Sequence, residues 1–139
     1  GFWVKLSSMS LLSDEKLAST ILPNPKNRKK LLNDPKNIEE LKKLAWSIWP
    51  LSAREEGIKN DYEQFLNFSV PLNEITVPTL VIHGNEDINV DISHATKLIE
   101  NIKGAELYTV KGGDHYMSST HAEEINPLIE RFILKSRQR

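Results

Sequence analysis

No cysteine occurs in these 139 residues. Its absence excludes a disulfide scaffold, a thiolate nucleophile and any cysteine-ligated metal site, and it suits a reducing compartment, so a cytoplasmic protein is expected. No signal peptide is expected, and these residues hold no apolar run long enough to span a bilayer. No membrane partner is expected. The chain begins at Gly1 and not at Met, which leaves a lost N-terminus or targeting segment open. An excess of charge of one sign is also lacking: the net charge is -1, with eleven Lys or Arg against nine Asp or Glu in residues 1–70 and seven against ten in residues 71–139. So small an asymmetry gives no nucleic-acid surface, and none is expected. Internal repeats and low-complexity segments are absent as well. What remains, 39% hydrophobic and 27% charged residues, is ordinary for a soluble globular chain long enough to make one domain.

The organising stretch is residues 77–115. Pro78-Thr79-Leu80-Val81-Ile82-His83-Gly84 is short, β-branched and apolar without alternation, and it breaks into Asn85-Glu86-Asp87. A strand with no polar face is expected to be buried on both sides, as in parallel sheets. Ala105-Glu106-Leu107-Tyr108-Thr109-Val110 reads as a second strand, breaking into Lys111-Gly112-Gly113-Asp114-His115. Ala95, Leu98, Ile99 and Ile102 between them recur at steps of three and four, which predicts a helix and a strand–helix–strand crossover. Asp87 and His115 then leave the same edge of one sheet.

Before this stretch the chain reads as short helices. Residues 1–6 are expected to be a short strand and residues 7–13 a connection. Ser13 ahead of Asp14 and Glu15 predicts a helix start, and Asn24-Pro25 and Asp34-Pro35 each set a capping residue before proline at the first helical position. The helix after Asp34 places Ile38, Leu41, Leu44, Ala45 and Ile48 on one face. Trp46 and Trp49 widen that face or leave it, and are expected in the core of these helices in preference to contacting substrate. Residues 50–57 read as a loop, and Asn60-Asp61 as the cap of a helix carrying Tyr62, Phe65 and Leu66. Near the end, Thr120 and Glu123 have the spacing of a capping box, followed by the apolar stripe Ile125, Leu128, Ile129, Phe132 and Ile133. Two parallel strands buried on both faces make no stable sheet alone, so either a missing N-terminal half or a second copy of the chain is expected to complete it.

Ligands of open α/β sheets bind beyond the carboxyl ends of the strands, where Asp87 and His115 are expected. A carboxylate beside an imidazole fixes its tautomer and stabilises the imidazolium formed when histidine takes a proton from a nucleophile. At these residues the sequence resembles the α/β-hydrolase family: residues 72–87 resemble the approach to its acid, and Gly104-Ala105-Glu106-Leu107 with Gly112-Gly113-Asp114-His115 resembles its last strand and histidine loop. The resemblance covers roughly residues 70–134. It implies an α/β fold, the C-terminal part of an α/β-hydrolase with its last two parallel strands and flanking helices in residues 71–139, preceded by a mainly helical cap in residues 1–70. Asp87 is implied as the acid and His115 as the general base, acting on a small-molecule ester or acyl substrate without cofactor or metal. Arg54, Gly57, Asn60 and Asp61 add a faint likeness to cap sequences of some members.

The chain departs from the family pattern in three places. No G-x-S-x-G elbow occurs, and none of Ser7, Ser8, Ser10 or Ser13 has the strand–turn–helix context to replace it. Asp114 stands where glycine commonly precedes the histidine, and a neighbouring carboxylate would favour the imidazolium. Asp91 stands where proline is common after the acid; it reads as a helix cap and as the substitute should Asp87 not serve. The remaining histidines read as a strand-end core residue (His83), a solvated helix residue (His94) and a first-turn residue (His121). Asp87, Asp114, His115 and His121 lack any metal-ligand spacing, Lys26, Arg28, Lys29 and Lys30 read as a solvated face, and Asn67-Phe68-Ser69 is a glycosylation sequon that matters only on secretion. A serine-type hydrolase is thus expected whose nucleophile lies outside the chain, the chain alone being inactive. The competing reading is a non-catalytic hydrolase-like module acting by self-association or partner binding.

Overall fold

A computed structural model describes residues 13–47 and 50–138. The strand expected at residues 1–6, the connection at 7–12, and Ile48 and Trp49 lie outside these. Two compact units make up the chain, Gly1–Val70 and Pro71–Arg139.

Helices build the described part of the first unit: α1 (Asp14–Ile21), α2 (Pro25–Leu32), α3 (Pro35–Ser47) and α4 (Glu55–Asn67), the last preceded by a 3-10 turn at Leu51–Arg54. Local chemistry starts the first three. Ser13 Oγ accepts from the Lys16 amide at 3.3 Å, Asn24 Oδ1 from Lys26 at 2.8 Å and Asp34 Oδ1 from Lys36 at 2.9 Å. Each oxygen satisfies an amide that has no partner inside its helix. Among the described residues of these helices and their links, Leu17, Ala18, Leu22, Leu31 and Leu41 are the buried apolar ones, and Leu22 is fully enclosed. Arg28 fastens the α1–α2 corner: its guanidinium donates to the carbonyls of Leu22 and Pro23, each at 2.8 Å, and lies 3.4 Å from Glu15. One member of the basic cluster is therefore a structural clasp.

Three expectations for this unit are corrected. Trp46 is 58% exposed, because it sits off the Ile38–Leu41–Ala45 face of α3 that turns inward. The segment 50–57 is not a loop, since α4 starts at Glu55, with Glu55 and Glu56 in its first turn where carboxylates suit the positive end of the helix dipole. Asn60 and Asp61 consequently lie inside α4, which buries no residue and leaves Tyr62, Phe65 and Leu66 exposed.

The second unit runs from a 3-10 turn at Leu72–Glu74 through β1 (Leu80–Gly84), α5 (Ile92–Asn101), β2 (Glu106–Val110), α6 (Met117–Thr120) and α7 (Ala122–Ser136). The strands pair in parallel, with Leu80 opposite Glu106 and Gly84 opposite Val110, and α5 makes the crossover between them. Ala95 and Ile102, at the two ends of the predicted stripe, are buried. Tyr108 Oη donates to Glu124 Oε1 at 2.8 Å and Lys135 Nζ to Glu106 Oε1 at 2.8 Å, tying α7 to β2.

Burial on both faces, expected for each strand, is not what this chain provides. Leu80, Val81 and Ile82 are half-buried and Leu107 is 39% exposed, since among the described residues the sheet has only these two strands. The capping box fails for a local reason. Thr120 ends α6, and its hydroxyl lies 2.9 Å from His121 Nδ1 and 3.4 Å from the carbonyl of Tyr116, so it does not cap α7. Among the described residues no helix is long and apolar enough to cross a membrane.

Candidate active site

Asp87 follows β1 by three residues, and His115 follows β2 by five. Parallel pairing in register sends both loops off the carboxyl end of the sheet, where His115 Nδ1 and Asp87 Oδ2 lie 2.9 Å apart. Asp87 is held from its other side too: Oδ1 accepts from the amides of Asn89 at 2.8 Å and Val90 at 3.0 Å. Its side chain is 6% exposed and that of His115 45%. Burial pushes the Asp87 carboxyl up, but the Val90 amide, the His115 ring and the Asn89 amide together outweigh it and hold the group below the ordinary carboxylate range. Asp87 is therefore ionised at neutral pH. An ionised carboxylate only accepts, so in this pair the Nδ1 proton belongs to histidine. Nε2 of the neutral ring is left with its lone pair on the more exposed side chain, the arrangement a general base needs.

Glycine makes the approach of the two loops feasible. A Cβ on Gly84 would collide with the carbonyl of Gly113, and one on Gly113 would lie 2.9 Å from Val110 Cβ and 3.1 Å from Gly84 Cα. The Glu86 amide donates to the Gly113 carbonyl at 2.8 Å across this gap. Beyond it Asp114, buried, accepts from the Tyr116 amide at 3.0 Å through Oδ1, and its own carbonyl takes the Met117 amide at 3.0 Å. The carboxylate standing in place of glycine thus helps open α6 behind His115. Burial first, then the charge of Asp114, push the Tyr116 phenol up, and the Tyr116 ring meets that of His115 edge-on with centroids 5.9 Å apart.

The other singled-out residues sit elsewhere. Asp91 is exposed and caps α5, accepting from the Ser93 amide at 2.8 Å. His83 is a buried strand-end residue whose Nδ1 lies 2.9 Å from the carbonyl of Gly84, while Nε2 is enclosed without a hydrogen-bond partner. His94 is exposed on α5, and His121 is buried at the α6–α7 junction beside Thr120. Among the described residues no three His, Asp or Glu side chains converge in the manner of metal ligands. What the residue patterns did not reveal is the part played by Gly84, Gly113 and Asn85, which act through backbone contacts between loops far apart in sequence.

Comparison with known proteins bears on this arrangement. No protein-family model matches the chain. A putative non-heme chloroperoxidase of Synechocystis is 40% identical over 91 residues, covering 64% of this chain and 33% of that protein. The serine hydrolase BPHL of Mus musculus is 36% identical over 59 residues, or 42% and 20% of the two chains. Among solved structures, an alpha/beta hydrolase fold protein from Nakamurella multipartita superposes with a TM-score of 0.72 and 27% identity, over 93% of this chain and 48% of that one. Sequence likeness at this level, together with a shared fold and the parallel β1–α5–β2 unit, supports an α/β-hydrolase family and a partial α/β-hydrolase fold. It spans about a third of the length of the first of these curated relatives and about half of the solved structure.

Proposed function

We propose that this chain supplies the acid and the general base of a hydrolase triad, Asp87 and His115, with residues 1–70 as the cap and a nucleophilic serine from a segment outside these 139 residues. The 2.9 Å contact between His115 Nδ1 and the ionised Asp87 carries the reading. The serine hydrolase among the relatives supports serine as the nucleophile. In this reaction His115 Nε2 takes the hydroxyl proton as the serine oxygen attacks the carbonyl carbon of an ester or related acyl substrate. Asp87 stabilises the resulting imidazolium without itself taking the proton. The C–O bond to the leaving alcohol then breaks, His115 protonates that alcohol, and a water activated by the same nitrogen releases the acid and frees the serine.

Two measurements test this. The 139-residue chain alone should neither hydrolyse p-nitrophenyl acetate nor take up a fluorophosphonate label; activity lost on His115→Ala would overturn the external nucleophile. In the protein that joins the chain to its nucleophile, His115→Ala or Asp87→Asn should each cut kcat by about a thousandfold or more. Near-normal turnover in both would remove the triad assignment. A second reading draws on the exposed Leu107, Ile129, Ile133 and Leu134, which favour a module that associates with another copy or partner. Light scattering that finds a monomer over a hundredfold concentration range would dismiss self-association.

A further inference from the structure

We propose that Asn85 is a positioning residue: its side-chain oxygen locks the turn after β2 onto the loop after β1, and so sets the separation of His115 from Asp87. The inference rests on the triad reading above. Val110, Lys111, Gly112 and Gly113 form a turn closed by the Gly113 amide on the Val110 carbonyl at 3.1 Å. Gly112 has φ of +75°, and among the described residues no non-glycine has positive φ, so this is a type II turn with glycine at its third position. A type II turn leaves the N–H of that glycine outside its own closing hydrogen bond.

Asn85 Oδ1 accepts this N–H at 2.6 Å, from a residue 27 positions away. The same residue's amide donates to the Val110 carbonyl at 3.1 Å, and the next amide, Glu86, to the Gly113 carbonyl at 2.8 Å. Three hydrogen bonds from two adjacent residues thus grip both ends and the middle of one turn. Two of the three are backbone bonds that any residue at 85 would make. The third depends on the side chain and holds the middle of the turn. Asp87 lies two residues beyond Asn85 and His115 two beyond Gly113, so any rotation of the turn moves the imidazole relative to the carboxylate. A catalytic pair loses much of its value when misplaced by about 1 Å. Asn85 is exposed and touches neither Asp87 nor His115 through any hydrogen bond, so its effect is purely one of placement.

Proton NMR of the full chain at low temperature tests the assignment through the far-downfield His115 Nδ1 proton, identified by its loss in His115→Ala and Asp87→Asn. The resonance should disappear into solvent exchange in Asn85→Ala and in Asn85→Gln, whose added methylene displaces the oxygen, and return in Asn85→Asp, which keeps an acceptor in place. Backbone amide signals of β1, α5 and β2 serve as the folding control, and the Gln variant gives the same reading should the Ala variant unfold. Persistence at full intensity in a folded Ala or Gln variant would overturn the positioning role while leaving the pair intact. A resonance missing from the unsubstituted chain, or surviving Asp87→Asn, would instead overturn the pairing and the role together.

Discussion

Both strands are most buried at their carboxyl ends. In β1, Leu80 to Ile82 are half-buried whereas His83 and Gly84 are buried; in β2, Glu106 and Leu107 are exposed whereas Val110 has no exposed surface. The carboxyl corner is enclosed by the chain's own backbone, with Gly84 against Gly113 and Asn85 and Glu86 laced to the Val110–Gly113 turn. On α7 the opposite holds. Ile129, Ile133 and Leu134 are between 38% and 53% exposed and, with Asn126, Glu130 and Arg137, line an open, largely apolar groove of about 360 Å³. The contrast teaches where this chain is self-sufficient: it builds the corner that presents Asp87 and His115 by itself, and it leaves an apolar helix face uncovered.

Substitutions at the two places should differ accordingly. Gly84→Ala is expected to have the largest effect, about 3 kcal/mol, because its methyl group meets a backbone carbonyl that cannot rotate aside. Urea denaturation reads this, and a midpoint unchanged from the parent would mean that the loops do not approach so closely. Val110→Ala should cost about 2 kcal/mol, from lost burial plus the cavity left at a site with no exposed surface. Its counterpart Ile133→Ala, at 45% exposure, should stay within about 0.5 kcal/mol. Equal losses at the two positions would erase the comparison.

Acid should probe the corner selectively. The carboxyl of Asp87 sits lower in the folded chain than in the unfolded one, so its contribution to stability is fully present above the unfolded value of about 3.9 and is lost as pH falls through the folded value. Stability of the parent should therefore drop on acidification below about pH 4 more steeply than that of Asp87→Asn. Parallel pH profiles for the two would show that the three hydrogen bonds on Asp87 do not outweigh its burial.

Much of the helical architecture was legible because its signals are local. Ser13, Asn24, Asp34 and Asp91 each cap an amide two or three residues ahead, a distance that a reading along the chain can see. Local signals also mislead where they compete. Thr120 has capping-box spacing to Glu123 but turns toward His121 and Tyr116, and Asn60-Asp61 was outranked as a helix start by the acidic pair at Glu55 and Glu56. Trp46 appeared apolar enough for a core, yet its angular position on α3 leaves it in solvent.

By itself, then, the order of residues determined the strand–helix–strand unit and the placing of one carboxylate and one imidazole in loops after its two strands. Hydrophobic periodicity and capping act within a few residues, so no folded partner is needed to read them. Tertiary structure alone decided that Oδ2 of Asp87 and Nδ1 of His115 come to 2.9 Å, and that Asn85 meets Gly112. Those contacts join residues 28 and 27 positions apart, and they exist only because β1 and β2 pair in one register and two glycines leave room for backbone to meet backbone.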